Sequence, residues 1–262
     1  MIRAARSGGP YHSAMTLVLR SLLLLGSLAL VAPRATAQGG SWPTVHQQAL
    51  WLTTSAEHKV TPRTSLWFDG NWRRMGAGDR PQQVLLRPGI LHTIAPGVRL
   101  GAGYTYVATA PYGEVPLPAP LREHRTWQQI TIAHTAARVA ITHRYRWEQR
   151  WIAPVTAGGL GAFTYQQRAR YMVRAQAPVG GLTWRARPVI GFAQEELLLP
   201  VGHGGSAGRF TQNRFAVGAG LPLTARQRLE IGYLNLWNAA TRVPANEVNH
   251  TITFNWVITP GS

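Results

Sequence analysis

One segment constrains the fold more than any other: Arg138–Trp151, RVAITHRYRWEQRW. Alternate positions place Val139, Ile141, His143, Tyr145, Trp147 and Trp151 on one side, and Arg138, Thr142, Arg144, Arg146, Glu148 and Arg150 on the other. A two-residue period means an extended strand between two unlike media, because successive side chains of a strand point to opposite faces. An apolar, aromatic face opposite an ionic one is the pattern of a membrane barrel strand, with lipid outside and a polar interior.

Ten more segments carry weaker forms of the pattern. They lie near Gln48–Lys59, Arg63–Arg74, Gln82–Ile94, Val98–Thr109 and Arg125–Thr135 before the central strand. Phe163–Gln176, Gly181–Leu197, Arg209–Leu221, Arg226–Trp237 and Val248–Ile258 follow it. No gap between them holds a crossover helix, which excludes repeated strand–helix–strand units. Short links (Val60–Pro62, Ala95–Gly97, Ala136–Ala137, Ala177–Gly180, Pro222–Ala225) alternate with longer ones (Met75–Pro81, Ala110–His124, Ile152–Ala162, Leu198–Gly208, Asn238–Glu247). Short periplasmic turns and long external loops make that rhythm in outer-membrane barrels. The expected fold is an all-β, antiparallel, up-and-down barrel. Bacterial single-chain barrels have even strand numbers, so the eleven visible segments imply a twelfth. Gln38–Gln47 is the candidate, although Pro43 disfavours a regular interior strand there; ten strands is the alternative.

The first 37 residues read as a secretory leader. Arg3, Arg6 and Arg20 supply positive charge, Leu22–Val31 an apolar core and Ala35-Thr36-Ala37 a small-residue cleavage site. A start at Met15 would make the leader more compact. Residues 38–262 then form one barrel domain. After Val31 no stretch supplies the roughly 20 apolar residues of a membrane helix. The chain has no cysteine, hence neither disulfides nor thiol chemistry.

The formal charge is +17, falling to +13 without the four arginines of the leader. The positive charge is spread strand by strand, without a zinc-finger spacing, recognition helix or RNA-binding motif, which argues against nucleic acid as a partner. The ionic face instead reads as an interior wall. The residues expected to line it are Arg144, Arg146, Glu148, Arg150, Arg168, Arg170, Arg174, Arg185, Arg187, Glu195, Arg214, Arg228 and Glu230. Buried charge of this density needs carboxylate partners or water. The excess of arginine over acid favours a small anionic solute if a path exists, while the same side chains can also pack a small barrel shut. The opposite face collects Phe163, Tyr165, Tyr171 and Val173; Phe215, Val217, Ala219 and Leu221; Leu229, Ile231, Tyr233 and Trp237; and Val248, Ile252, Phe254, Trp256 and Ile258.

Sites of chemistry are hard to find. His203-Gly204-Gly205-Ser206 places a histidine near a hydroxyl in a glycine-rich loop, but no third group orients the histidine. Glu195 and Glu196 point to opposite faces of a regular strand and make no simple carboxylate pair. The histidines lack metal-ligand spacing, and Gly97, Gly101 and Gly103 lack the lysine and helix of a phosphate loop. Those glycines fit strand curvature, or room for neighbouring side chains. No catalytic residue, metal or cofactor is expected.

The segments SLWFDGNWR, THRYRWEQRW, YQQRARYMVRAQ, FAQEELL, FTQNRFAVGAGL and RLEIGYLNLW together resemble the bacterial proteins grouped as domain of unknown function 2490. The resemblance runs over nearly all of Gln48–Ile258. It implies an exported outer-membrane barrel that meets outer-membrane lipid and, during insertion, the barrel-assembly machinery. It implies no reaction. The C-terminus departs from a common outer-membrane pattern, since the chain ends in Pro260-Gly261-Ser262 rather than a terminal phenylalanine. The expected role is structural, or that of a narrow anion-preferring pore. The alternatives are a lipid- or lipopolysaccharide-modifying enzyme and a soluble periplasmic ligand-binding barrel.

Overall fold

A computed structural model describes residues 42–202, 211–240 and 243–259. The expected leader, residues 1–37, and the His203–Ser206 segment lie outside the described residues. Among the described residues every element is a strand, and no helix is long and apolar enough to cross a membrane.

The strands are β1 (Thr44–Lys59), β2 (Thr64–Met75), β3 (Arg80–Ala95), β4 (Val98–Thr109), β5 (Leu121–Ala136) and β6 (Val139–Thr156). The two-residue β7 (Gly159–Leu160) only folds back on the end of β6. β8 (Thr164–Trp184), β9 (Arg187–Val201), β10 (Gln212–Pro222), β11 (Gln227–Asn238) and β12 (Asn246–Ile258) complete the chain. Without β7, eleven strands form one closed barrel, each paired with its sequence neighbour and β1 paired with β12. Even the shortest of the eleven, β10, has 11 residues, enough to cross a hydrocarbon core at a barrel tilt.

The strand number corrects both expected counts, twelve and ten. With an odd number, the first and last strands run the same way, so closure is parallel, in register from Thr44↔Asn246 to Ala56↔Ile258. Residues 44–47, expected in a separate strand, are the start of β1. Pro43 sits at the edge of the pairing, where its missing N–H costs nothing and its carbonyl accepts from Asn246 N at 2.8 Å.

The second correction concerns the β8–β9 hairpin. Ala177–Gly180 reads as a tight link, but the chain passes through it as a register break between Pro178 and Thr183. Beyond Gln176, β8 pairs with β9 alone, so the hairpin projects past its β6 neighbour. It turns at Arg185 (φ 50°) and Ala186 (φ 58°). Two consecutive left-handed residues give a turn whose twist matches the strands, normally a place for Asn-Gly. Ala186→Gly is therefore expected to raise barrel stability by about 1 kcal/mol, read as a higher urea midpoint; a lower midpoint would contradict it. The first "long" link also shortens, since β2 and β3 extend toward each other until only residues 76–79 remain between them.

Inside and outside differ as the alternation requires. Exposed side chains on the outer face include Leu86, Ile90, Val217, Ile231 and Ile252, with Ile90 53% and Ile252 48% exposed. Aromatic and histidine clusters flank this band. Tyr104, His124 and Phe163, with Trp151 on Tyr165, lie toward the long-loop end. His134, His143, Tyr145 and Tyr171 lie toward the short-turn end.

Candidate functional site

The interior is filled by a layer of ion pairs drawn from neighbouring and distant strands. Glu148 of β6 has no solvent exposure. Its Oε2 accepts from Arg168 Nη2 at 2.5 Å and Nε at 2.9 Å. Its Oε1 accepts from Arg170 Nη1 at 2.7 Å and from Arg125 Nη1 at 3.3 Å. Arg170 also reaches across to Glu196 of β9 (2.7 Å), which accepts in addition from Arg144 (2.7 Å) and Arg214 (3.3 Å). At the long-loop side Glu123 binds Arg150 (2.6 Å) and Arg125 (2.8 Å). Separate groups join Asp69 to Arg87 (2.9 Å), Glu57 to Arg99 (2.5 Å), and Glu230 to both Arg174 (2.7 Å) and Arg228 (2.8 Å). Guanidinium forks suit this arrangement because each presents several donors in one plane, so one arginine bridges two carboxylates. Both oxygens of Glu148 and of Glu196 are satisfied, the condition under which buried ion pairs recover much of their desolvation cost.

Next to the ionic layer lies an aromatic plug. Trp127 of β5 has no exposure. It meets Trp67 edge-on at 5.7 Å, and the Arg146 guanidinium lies 4.5 Å from the centre of its ring. Gly89 and Gly103, facing inward on β3 and β4, make the room: a Cβ on Gly89 would stand 2.5 Å from Trp127 Cζ2, and one on Gly103 would also strike the indole. On the opposite wall Gly218 and Gly232 accommodate Phe192 in the same way.

Toward the long loops the interior opens into a cavity of about 670 Å³, bounded by Arg87, Arg125 and Arg170 of the ionic groups and by loop residues Tyr112, Val115, Leu117, Thr211 and Val243. Trp51, Gln82, Gln83, Arg73 and Gln212 also line it. Trp51 Nε1 donates to Gln82 Oε1 at 2.9 Å, and the Arg73 guanidinium stacks 3.7 Å above the Trp51 ring.

The family model described as a protein of unknown function, DUF2490, matches residues 48–246. The chain belongs to that family. It is also similar to an uncharacterised protein of Methylorubrum extorquens, 28% identical over 237 residues that cover 89% of this chain and 95% of that protein.

In this DUF2490 barrel, ten of the thirteen residues expected along the interior wall converge there: Arg144, Arg146, Glu148, Arg150, Arg168, Arg170, Arg174, Arg214, Arg228 and Glu230. Three do not. Arg185 is at the tip of the projecting hairpin, where its Nη1 donates to the Leu223 carbonyl, and Arg187 is exposed on the first residue of β9. Glu195 faces outward, hydrogen-bonded by the outward Asn213, and Glu196 takes the interior place. Phe192, with the parity of Glu196, points inward because Gly218 and Gly232 leave a hole for it, which sets the phase of β9 opposite to that expected from an aromatic residue.

Asp69, Arg73, Arg87, Glu123 and Arg125 were missing from the expected wall. The alternation runs through Trp67-x-Asp69-x-Asn71-x-Arg73 and Glu123-x-Arg125-x-Trp127, with a tryptophan on the ionic face of each. Among the described residues no group of three or more His, Cys, Asp or Glu could hold a metal.

Proposed function

We propose that this protein is an outer-membrane β-barrel whose interior is closed by its own side chains, with a structural or receptive role rather than a catalytic one. The observation that carries this reading is the complete burial of Glu148 and Trp127 inside a closed barrel. Together they fill the section that a pore would leave open. The outer face supports the membrane assignment. A band of exposed aliphatic side chains between two aromatic zones is costly in water and favourable in lipid, and the N-terminal pattern of residues 1–37 supports export. Lipid and the barrel-assembly machinery are then its partners during insertion.

An anion-preferring conduction path is the second reading. It is favoured by two interior arginines without a carboxylate partner: Arg73 on the cavity side, bonded to Gln83 and Asn71, and Arg146 beside Trp127, bonded to Gln129. Conduction would require the Arg170–Glu148 contact to part.

Two measurements separate these readings. Fractionation of the expressed protein is expected to place it in the outer membrane, with a heat-modifiable gel mobility; recovery as a soluble periplasmic protein overturns the assignment. The purified barrel in planar bilayers is expected to give no stable conductance steps. Regular anion-selective steps would favour the second reading.

A further inference from the structure

Seven arginines line the cavity at the long-loop end against two carboxylates, Glu123 and Glu247, and Glu247 accepts from Tyr112 and Asn238 rather than from an arginine. Six of the arginines on its wall each reach a carboxylate, and Arg73 is the exception. Its side chain is held in place without being neutralised. The residue is 7% exposed, Nη1 donates to Gln83 Oε1 at 2.8 Å, Nη2 donates to Asn71 Oδ1 at 3.3 Å, and Nε is buried with no acceptor. The guanidinium lies flat on Trp51, and the Arg214 guanidinium stands 5.7 Å from the same ring, its Nε also without an acceptor. Two like charges sharing one indole at the wall of a cavity repel each other, and an anion between them relieves that repulsion.

We infer that this cavity binds a small soluble oxyanion, a phosphate or carboxylate group carried by a polar molecule, through Arg73 and Arg214. Planar guanidinium groups recognise such oxyanions with paired N–H donors. The amide nitrogen of Gln82, whose oxygen accepts from Trp51, supplies a neutral donor for the rest of the ligand, as a hydroxyl of a sugar phosphate or hydroxy acid requires. The volume of about 670 Å³ falls in the range of small-molecule sites, roughly 300–1,000 Å³. An uncompensated buried guanidinium costs stability, and a bound anion offsets that cost. The inference rests on the closed floor proposed above. Bilayer conductance tests that floor, and ligand titration tests the site, so the two fail separately.

The test uses the full barrel, refolded in detergent, with inorganic phosphate and citrate as probes at constant ionic strength set by sodium chloride. Calorimetry is expected to show saturable binding of at least one probe, which also raises the unfolding midpoint. Arg73→Gln weakens that binding tenfold or more and, without the anion, raises the unfolding midpoint. Arg73→Lys keeps the charge but loses the fork and falls between the two. Arg146→Gln, which removes an interior arginine away from the cavity, leaves the affinity within twofold. Absence of saturable heat with both probes, or equal affinity in wild type and Arg73→Gln, overturns the site.

Discussion

Glu148→Ala is expected to cost the barrel about 3–5 kcal/mol and to remove the heat-modifiable folded band from unheated gels. Among the described residues the carboxylate is the only anion within ion-pair distance of Arg168, and it shares Arg125 with Glu123 and Arg170 with Glu196. Without it, one guanidinium loses its whole charge partner and two lose half, at a point with no solvent exposure. Removing one member of a buried ionic group is far more damaging than replacing the whole group by apolar side chains, since the remaining charges stay desolvated. A loss of this size is a large fraction of the roughly 5–15 kcal/mol that holds a typical domain folded. Glu148→Gln keeps an acceptor oxygen and the shape but not the charge, so it is expected to lie between wild type and alanine. Urea unfolding followed by tryptophan fluorescence orders the three. A wild-type midpoint for Glu148→Ala would show that water, rather than Glu148, neutralises these arginines.

Gly89→Val is expected to be nearly as disruptive, by about 1–3 kcal/mol or more from overpacking, through a contact rather than a charge. The hole left by Gly89 is filled by the Trp127 indole, with the carbonyl of Ala102 3.0 Å from where a Cβ would stand. The indole has nowhere to retreat, since Trp67 meets it edge-on and its Nε1 donates to the Tyr104 carbonyl at 3.3 Å. The decisive comparison is a double-mutant cycle. Trp127→Leu alone leaves a cavity, and in the Gly89→Val background it makes room for the new methyl groups, so the two losses are expected to be less than additive. Strict additivity would mean that the glycine serves the backbone of β3 rather than the packing of Trp127.

Most of the wall was legible strand by strand. Arg144, Arg146, Glu148 and Arg150 fall on one parity of β6, and that parity is a local property of the chain. The exceptions have physical causes. Arg185 and Arg187 depend on where the β8–β9 hairpin turns. Pro178 and Gly180 in the link Ala177–Gly180 signal a turn, but the cross-strand pairing of Thr183 with Pro188 and Trp184 with Arg187 carries the hairpin past them. Glu195 and Glu196 exchange places because the phase of β9 follows the glycine-lined hole for Phe192, and those glycines belong to β10 and β11. Asp69 sits on a strand whose interior face also carries Trp67, and Glu123 falls in the stretch Ala110–His124 that reads as a loop, whereas β5 begins at Leu121.

The sequence by itself determined that the chain makes long strands with one apolar and one ionic face, and that turns and loops separate them. Both follow from side-chain alternation and turn chemistry, which act over a few residues. Only the tertiary structure decided the strand number and the pairing of charges. Closure joins Thr44 to Asn246 across almost the whole chain, in a parallel register that no short-range pattern encodes. Whether an arginine wall is a hydrated channel or a plug depends on carboxylates and indoles brought in from other strands, such as Glu196 to Arg144 and Trp127 to Gly89. In this barrel those contacts fill the middle and leave Arg73, at the edge of the cavity, without a carboxylate partner.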